Sequence, residues 1–174
     1  MRGSRRDVAE FTVFVSQHSD RLYRSAHLLT TSPHAAEDLL QETLTKVFAH
    51  WRRLRSTDDP VAYSHRILLN TFLSERRLRR SGELPVEQVP EQHAAAAGSS
   101  SDVADRVTLM TALAGLAPVD RAVVVLRFWH DLSVATTAAD LHLTQSAVKN
   151  RTSRALRQLR ERLADDIDLP RSTS

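Results

Sequence analysis

Apolar residues along this chain recur mostly three or four positions apart, and they do not alternate with polar ones. That period is typical of an amphipathic helix with one buried face, whereas a half-buried strand alternates at every second residue. In the first part of the chain the pattern predicts three helices, over residues 7–29, 32–51 and 59–80. Ser32-Pro33 and Asp59-Pro60 indicate two of the starts, because a capping side chain followed by proline is favoured there. The sequence therefore predicts an all-α fold that begins with a three-helix bundle.

A break in this pattern separates two groups of helices. The segment GELPVEQVPEQHAAAAGSSS contains two prolines, two glycines and a serine run, and its apolar residues follow no period. Such a composition is typical of a flexible linker. Helical spacing returns after it with four helices, the last two of them over residues 133–163. We expect two small domains, at 8–82 and 104–164, joined by a flexible acidic linker at 83–103.

The last two predicted helices have the features of a DNA-binding pair. The stretch SVATTAADLHLTQSAVKNRTSRALRQLRERL places a turn of about three residues between them. Ser133 can cap the first helix and Thr144 the second, because their hydroxyl oxygens accept hydrogen bonds from free N–H groups. His142 stands at the corner, where glycine is usual, and would adopt a left-handed backbone at some strain. This arrangement is typical of a helix-turn-helix, whose second helix enters the major groove.

The outward face of that second helix carries side chains suited to bases and phosphates. Gln and Asn pair with adenine, Lys and Arg with guanine, and hydroxyl groups with either. Acidic residues are absent between Asp140 and Glu161, whereas a face that only confers solubility usually mixes both signs. The alternative is a merely solvated face, the more common explanation for a single amphipathic helix. The residues on this face are Gln145, Ser146, Lys149, Asn150, Ser153, Arg154 and Arg157.

Charge is unevenly distributed, although the formal net charge is only +3. Residues 8–82 carry eleven basic and eight acidic side chains, and residues 107–164 carry eight and four. The connecting residues 83–106 carry one basic and five acidic side chains. Two basic blocks that flank an acidic connector are expected where both blocks bind a polyanion and the connector does not.

Several classes of function are disfavoured by what the sequence lacks. It has no cysteine, and its eight histidines include no HExxH motif or pair four residues apart, so we expect no metal or cofactor site. It also has no glycine-rich phosphate loop and no evident pair of catalytic acids, which argues against an enzyme. The longest strongly apolar run, residues 122–126, is too short to span a bilayer. These features predict a cytoplasmic, non-enzymatic protein without a membrane contact.

Three segments, in their order along the chain, resemble one protein family. They are AAEDLLQETLTKVFAHW, DPVAYSHRILLNTFLSERRLRR and LAPVDRAVVVLRFWHDLSVATTAADLHLTQSAVKNRTSRALRQLR. Over residues 8–164 they resemble the extracytoplasmic-function (ECF) sigma factors of bacterial RNA polymerase, and NTFLSERR is most similar to the actinobacterial SigE-family branch. The resemblance implies an alternative sigma factor with region 2 at 8–82 and region 4 at 104–164. Such a protein binds core RNA polymerase, directs it to promoters through −10 and −35 elements, and promotes DNA melting.

The resemblance implies a polymerase-binding face on the second helix. Asp38, Gln41 and Glu42 match the family segment that binds the clamp coiled coil of the largest polymerase subunit. Residues at i, i+3 and i+4 share one helix face, so these side chains could pair with basic residues of a partner. The alternative is a solvated acidic stripe. The resemblance favours docking.

The third helix resembles the element that binds and melts the promoter near −10. Melting requires a pocket for a flipped base, at a cost of roughly a few kcal/mol, and cations for the exposed strand, but no catalytic group. The family forms that pocket in the preceding loop, which is LRSTDD in this chain. Trp51 and Tyr63 could stack on bases, although aromatic residues at helical spacing are more often part of the core. The implied −10 contacts are Arg66, Asn70, Ser74, Arg76 and Arg77.

The C-terminal segment resembles the domain that reads the −35 element in the major groove. The implied contacts are Gln145, Ser146, Lys149, Asn150, Arg151, Ser153 and Arg154. The implied partners are promoter DNA, an anti-sigma factor as regulator, and core RNA polymerase through its clamp coiled coil and the flap of its β-subunit. Within a holoenzyme the protein would be associated with the nucleoid.

Two other functions fit parts of the sequence. A stand-alone repressor or activator could use the same helix-turn-helix with a helical dimerisation domain in front. It would bind symmetric half-sites without polymerase. A helical adaptor that binds only proteins would show no salt-dependent affinity for DNA.

Overall fold

The structure is a computed structural model that describes residues 2–54, 59–81 and 100–167, and every regular element in these ranges is a helix. The predicted all-α fold is confirmed. The chain divides into two compact units between residues 89 and 90. Most of the predicted linker, part of the LRSTDD loop and the end of the acidic tail lie outside the described residues.

The described residues of the first unit, 2–54 and 59–81, form four helices. They are α1 (Arg2–Thr30), α2 (Pro33–Ala49), α3 (Trp51–Leu54) and α4 (Pro60–Ser81). Both predicted capping residues act as expected: Ser32 Oγ accepts a hydrogen bond from the Ala35 N–H at 3.2 Å. Asp59 Oδ1 accepts one from the Ala62 N–H at 2.8 Å.

The second predicted helix, 32–51, is wrong at its end, because α2 stops at Ala49 and the short α3 follows. His50 leaves the helical backbone, with φ −108° and ψ 5°. Its Nδ1 lies 2.9 Å from the Lys46 carbonyl oxygen, within hydrogen-bond distance of one of the carbonyl groups that a helix end leaves free. Because the chain changes direction at His50, the side chain of Trp51 lies in the core of the first unit.

An aromatic cluster lies in that core. Trp51 is 5% exposed, and its ring centroid lies 5.1 Å from that of Phe11 and 4.9 Å from that of Phe14. Ring contacts of this kind contribute about 0.5–1.5 kcal/mol each beyond the area they bury. Tyr63 packs against the same cluster and is half-buried. Of the two aromatics considered for base stacking, Trp51 therefore belongs to the core, and Tyr63 keeps an exposed part.

In the second unit, the described residues 100–167 also contain four α-helices. They are α5 (Ser100–Ala114), α6 (Pro118–Val124), α7 (Val134–Leu141) and α8 (Gln145–Ile167). α6 continues into a π-helical segment, Val125–Trp129, in which the His130 N–H donates to the Val125 carbonyl at 3.1 Å. The predicted linker extends to residue 103, but α5 already begins at Ser100. Serine and aspartate favour helix starts, and SSSD supplies both.

The second unit is organised around α8, which contacts α5, α6 and α7. Its buried side chains include Val148, Ala155 and Leu159, and α6 contributes the fully buried Ala122 and Val123. Because the core takes up one stripe of α8, the opposite stripe is left to solvent.

The corner of the helix-turn-helix has the predicted left-handed backbone at His142, with φ 53° and ψ 43°. The N–H groups of His142 and Leu143 donate to the carbonyl oxygens of Ala139 and Ala138, at 3.3 and 2.8 Å. This pair of hydrogen bonds closes the end of α7 as a Schellman motif. The corner is therefore fixed by backbone hydrogen bonds, with histidine in a position that favours glycine.

Hydroxyl caps begin both helices of the pair. Ser133 Oγ accepts from the Thr136 N–H at 3.0 Å. Thr144 Oγ1 accepts from the Ala147 N–H at 3.1 Å. Both predicted caps are confirmed, and together with the corner they fix where α8 begins.

The backbone strain at the corner can be tested by substitution. His142→Gly should raise the free energy of unfolding by up to about 1 kcal/mol, because glycine adopts this backbone without the steric cost of a β-carbon. Ala139→Gly, at an exposed position of α7, is the matched control and should lower it by about 0.5–1 kcal/mol. Urea unfolding followed by circular dichroism measures both. Equal destabilisation by the two substitutions would contradict strain at His142.

Candidate nucleic-acid interface

α8 has an exposed polar face opposite its buried stripe. Successive residues are turned by about 100° around a helix, so Ser146, Asn150 and Ser153 lie across the helix axis from Val148 and Ala155. Six of the seven predicted −35 contacts are exposed, namely Gln145, Ser146, Lys149, Asn150, Ser153 and Arg154, and Arg157 is exposed with them. The face offers hydrogen-bond donors, acceptors and positive charge, which are the groups that bind base edges and phosphates.

Two of the predicted −35 contacts, Arg151 and Arg154, bind a carboxylate within the same unit. Asp120 is 2% exposed, and Arg151 Nη1 donates to its Oδ1 at 2.6 Å. Arg154 donates to it from Nε at 3.0 Å and from Nη2 at 2.6 and 2.8 Å. These ion pairs join α8 to the first turn of α6. A buried carboxylate of the unit thus binds two arginines for which the sequence predicts only DNA contacts.

The sequence contains one signal that points to this cluster. Asp120 precedes the apolar run AVVVL, and an acidic side chain at the start of such a buried segment needs a partner, since a buried charge is costly unless paired. The partners are 31 and 34 residues away in the chain. Periodicity describes one helix at a time, so it does not identify them.

Four of the five predicted −10 contacts form an exposed stripe along α4. They are Arg66, Asn70, Ser74 and Arg77. Arg76 is turned about 80° away from Arg66 around the helix. Its guanidinium carbon lies 5.6 Å from the centroid of the buried Phe72 ring, within the range of a cation–π contact. The structure therefore groups four of these residues and packs the fifth on the surface of its own helix.

The predicted polymerase-binding residues of α2, which are Asp38, Gln41 and Glu42, are all exposed. Asp38 has a side chain that is 67% exposed, and its Oδ2 lies 3.8 Å from His34 Nε2. Glu42 is less available, because Lys46 Nζ lies 2.6 Å from its Oε1. Asp38 and Gln41 are thus more open to a partner than Glu42.

Glu42 also belongs to a polar contact between α2 and α4. Lys46 Nζ donates to Thr71 Oγ1 at 3.0 Å, which connects the two helices. The hydrogen bond from Lys46 is the main influence on the pKa of Glu42 and lowers it, and partial burial opposes this shift. A hydrogen bond with the side chain of Glu75 on α4 lowers the pKa further. No pattern in the sequence indicates this network, since its members lie up to 33 residues apart.

Two further findings concern the described part of the chain. Its histidine, aspartate and glutamate side chains nowhere gather in a group of three that could hold a metal ion. None of its helices is long and apolar enough to cross a membrane.

The chain matches two models of one protein family. Residues 14–82 match sigma-70 region 2, and residues 106–159 match sigma-70 region 4. The chain is also 40% identical over 163 residues to the RNA polymerase sigma-E factor of Streptomyces coelicolor. That alignment covers 93% of this chain and 91% of the relative. The chain belongs to the sigma-70 family. It is an alternative sigma factor that directs RNA polymerase, as the resemblance implied, and the stand-alone repressor is not favoured.

Other relatives support this assignment. The chain is 34% identical over 157 residues to the ECF RNA polymerase sigma factor SigE of Mycolicibacterium smegmatis, covering 86% of this chain and 60% of that protein. Among solved structures, the sigma factor RpoE of Bartonella quintana, crystallised with the anti-sigma factor NepR, aligns with a TM-score of 0.68 and 28% identity. That alignment covers 89% of this chain and 97% of RpoE. The predicted resemblance to ECF sigma factors is confirmed.

Because the pKa of Glu42 is lowered, part of the first unit's stability should depend on pH. A carboxyl group with a folded-state pKa below its ordinary value of 4.5 stabilises the fold fully above that pH. The contribution is lost as the pH falls through the lowered folded-state pKa. Near neutral pH, Glu42→Gln should lower the free energy of unfolding by less than about 1 kcal/mol, because the ion pair is half-exposed and screened by solvent.

Urea unfolding of both proteins near neutral pH and well below pH 4.5 measures this effect. At the acidic pH the difference between wild type and Glu42→Gln should disappear. Asp38→Asn is the matched control, because the long contact with His34 is the one ion pair of its exposed carboxylate among the described residues, and the substitution should change stability little. A Glu42→Gln difference that is equal at both pH values would rule out the ionised carboxylate as its cause.

Proposed function

We propose that this sigma factor holds a promoter at two points, with α8 on the −35 duplex and α4 on the −10 element. Region 2 then extends over residues 8–82, the acidic linker over 83–103 and region 4 over 104–164. The observation that carries the proposal is the exposed face of α8 between Gln145 and Arg157, which contains no acidic residue and follows a closed helix-turn-helix corner. A helix presented in this way fits the major groove, where each base pair displays a distinct pattern of donors and acceptors.

On the −35 element, the first turns of α8 read the bases. Gln145 and Asn150 offer amides for adenine, and Lys149 offers an ammonium group for guanine or phosphate. Ser146 and Ser153 supply hydroxyl groups to either base edges or phosphates. Arg151 and Arg154 also contact the −35 element, but they do so only with the N–H donors that are not bound to Asp120.

On the −10 element, the stripe along α4 accompanies the melted strand. Arg66 and Arg77 provide positive charge near its two ends, and Asn70 and Ser74 provide hydrogen bonds between them. Arg76 supports the stripe from its place over Phe72. The activity requires binding of separated bases and phosphates, so the protein acts without a catalytic group, metal or cofactor.

Core RNA polymerase is bound through both units. Asp38, Gln41 and Glu42 on α2 bind the clamp coiled coil of the largest subunit, with Asp38 and Gln41 as the more open of the three. Region 4 binds the flap of the β-subunit. Phe128 and Trp129, which are 56% and 48% exposed, are the most exposed large apolar side chains among the described residues of region 4, and they offer an apolar contact to such a partner.

An anti-sigma factor regulates the protein in this proposal. The support is the Bartonella quintana RpoE structure, in which a relative of this chain is bound to an anti-sigma factor. The protein would work in the cytoplasm and be associated with the nucleoid while it is part of a holoenzyme.

Run-off transcription tests the proposal as a whole. Purified core RNA polymerase is given a promoter library with and without the chain, and start-site-specific transcripts should appear only when the chain is present. Selected promoters should share a non-palindromic pair of elements, because two different helices read them. Absence of any such transcript above core alone would refute the proposal, and binding to symmetric sites without polymerase would favour the repressor.

Lys149→Ala tests the assignment of α8 to the −35 element. Loss of one base or phosphate contact should reduce run-off from a −35-dependent promoter by about tenfold, in line with the 1–3 kcal/mol of one good contact. Affinity for core polymerase, measured by fluorescence anisotropy, should not change. Arg106→Ala, which removes an exposed charge from α5, is the control and should leave transcription unchanged. An equal drop in core affinity for Lys149→Ala would contradict this division of roles.

A further inference from the structure

Asp120 lies outside the helix-turn-helix, yet two residues of the recognition helix are bound to it. It occupies the first turn of α6, where the helix dipole favours negative charge, and it is 2% exposed. Arg151 binds Oδ1, and Arg154 binds both oxygens. The carboxylate therefore fixes α8 against α6 through both guanidinium groups.

Arg154 uses only one edge of its guanidinium group in this contact. The group is planar and carries five N–H donors, and the donors on Asp120 belong to Nε and Nη2. In a planar guanidinium group, the Cζ–Nη1 bond points directly away from that edge. The structure records no hydrogen bond from Nη1 to the described residues, and the side chain of Arg154 is 47% exposed. The Nε–Nη2 edge of Arg154 is thus bound to the buried Asp120, and the Nη1 side of the guanidinium group remains available to bind another acceptor.

The charge of the cluster also suits DNA. Asp120, Arg151 and Arg154 together carry two positive charges and one negative charge, so one net positive charge remains. Arg154 lies about 40° around the helix from Asn150, at the border between the outer face and the core. A residue at the border of a recognition helix meets the DNA backbone rather than the bases at the groove floor.

We propose that Asp120 is a positioning residue for promoter recognition, which orients Arg154 so that its outer Nη1 edge binds a DNA phosphate. This inference rests on the proposed −35 role of α8. The phosphate contact sets the register of α8 in the groove, so that Gln145, Lys149 and Asn150 meet their bases. Because Asp120 already holds the arginine side chain in place, little conformational freedom is lost when DNA binds.

A purely structural role of Asp120 makes a different prediction. If the carboxylate only joined α6 to α8, its loss would lower stability, but a folded variant would read the promoter as wild type does. If it positions Arg154, its loss releases two arginines and adds one net positive charge. Affinity for any DNA should then rise at low salt, while discrimination between promoters falls.

The test uses the full chain with core polymerase and two fluorescent promoters. One is selected by the run-off experiment with the wild-type chain, and the other is identical except for a replaced −35 element. Affinities are measured by anisotropy over a series of salt concentrations. Asp120→Asn should reduce the ratio of the two affinities by about tenfold. It should also steepen the slope of log affinity against log salt by about 0.9, which corresponds to one additional neutralised phosphate.

A second variant keeps the carboxylate and changes its partner. Lysine carries a single ammonium group, so it cannot bind Asp120 with one edge and a phosphate with the opposite edge. Arg154→Lys should therefore reduce the affinity ratio by about tenfold without a steeper salt slope. Arg106→Lys on α5 is the matched control and should behave as wild type. If circular dichroism shows that Asp120→Asn does not fold, the result for Arg154→Lys decides whether Arg154 is positioned by Asp120.

The outcomes separate the inference from the proposed function. If the wild-type chain does not distinguish the two promoters, the −35 role of α8 is wrong, and the inference falls with it. If wild type distinguishes them and folded Asp120→Asn keeps both the ratio and the salt slope, Asp120 has only a structural role. If Arg154→Lys distinguishes the two promoters as well as the wild-type chain does, the inference is likewise wrong.

Discussion

The buried carboxylate of Asp120 is the constraint on which the arrangement of the second unit depends. A charged group that is almost fully removed from water has to be paired, and the side chains that pair it both come from α8. Each guanidinium group fixes a distance and a plane, so α8 is held against the first turn of α6 in one orientation. Apolar contacts at Val148 and Ala155 supply burial, but apolar contacts are not directional. The ion pairs fix the orientation of α8 relative to α6.

α8 has to satisfy two requirements at once, and its period allows it to do so. The stripe with Val148, Ala155 and Leu159 is buried, and the opposite face keeps amides, hydroxyl groups and positive charge in solvent. Arg151 and Arg154 lie between these two faces, where one edge of a side chain can meet the interior and another edge the exterior. Arginine suits such a border because its donors are spread around a rigid plane.

The first unit has a comparable polar connection. Lys46 on α2 binds Glu42 on its own helix and Thr71 on α4, so the helix assigned to polymerase docking and the helix assigned to the −10 element share a network. This polar contact joins two helices for which different partners are proposed. The aromatic cluster with Trp51 belongs to the core of the same unit, and the burial of this tryptophan explains why it is unavailable to bases.

Local rules were sufficient for the helices, the caps at Ser32, Ser133 and Thr144, and the left-handed corner at His142. Each of these depends on residues within about one helical turn, and the exposed faces of α4 and α8 follow from the same period. The order and spacing of three segments were enough to indicate the family. The sequence alone did not show that His50 ends α2, that Arg76 packs over Phe72, or that Glu42 is joined to α4. Above all, it did not show that Arg151 and Arg154 of the predicted recognition helix are bound to Asp120. Tertiary structure decided the contacts of Glu42 and Asp120, because each joins two helices whose mutual orientation no periodic pattern specifies. The end of α2 and the Arg76 contact lie within single helices, and they depend on backbone and side-chain conformations that a periodic pattern also leaves open.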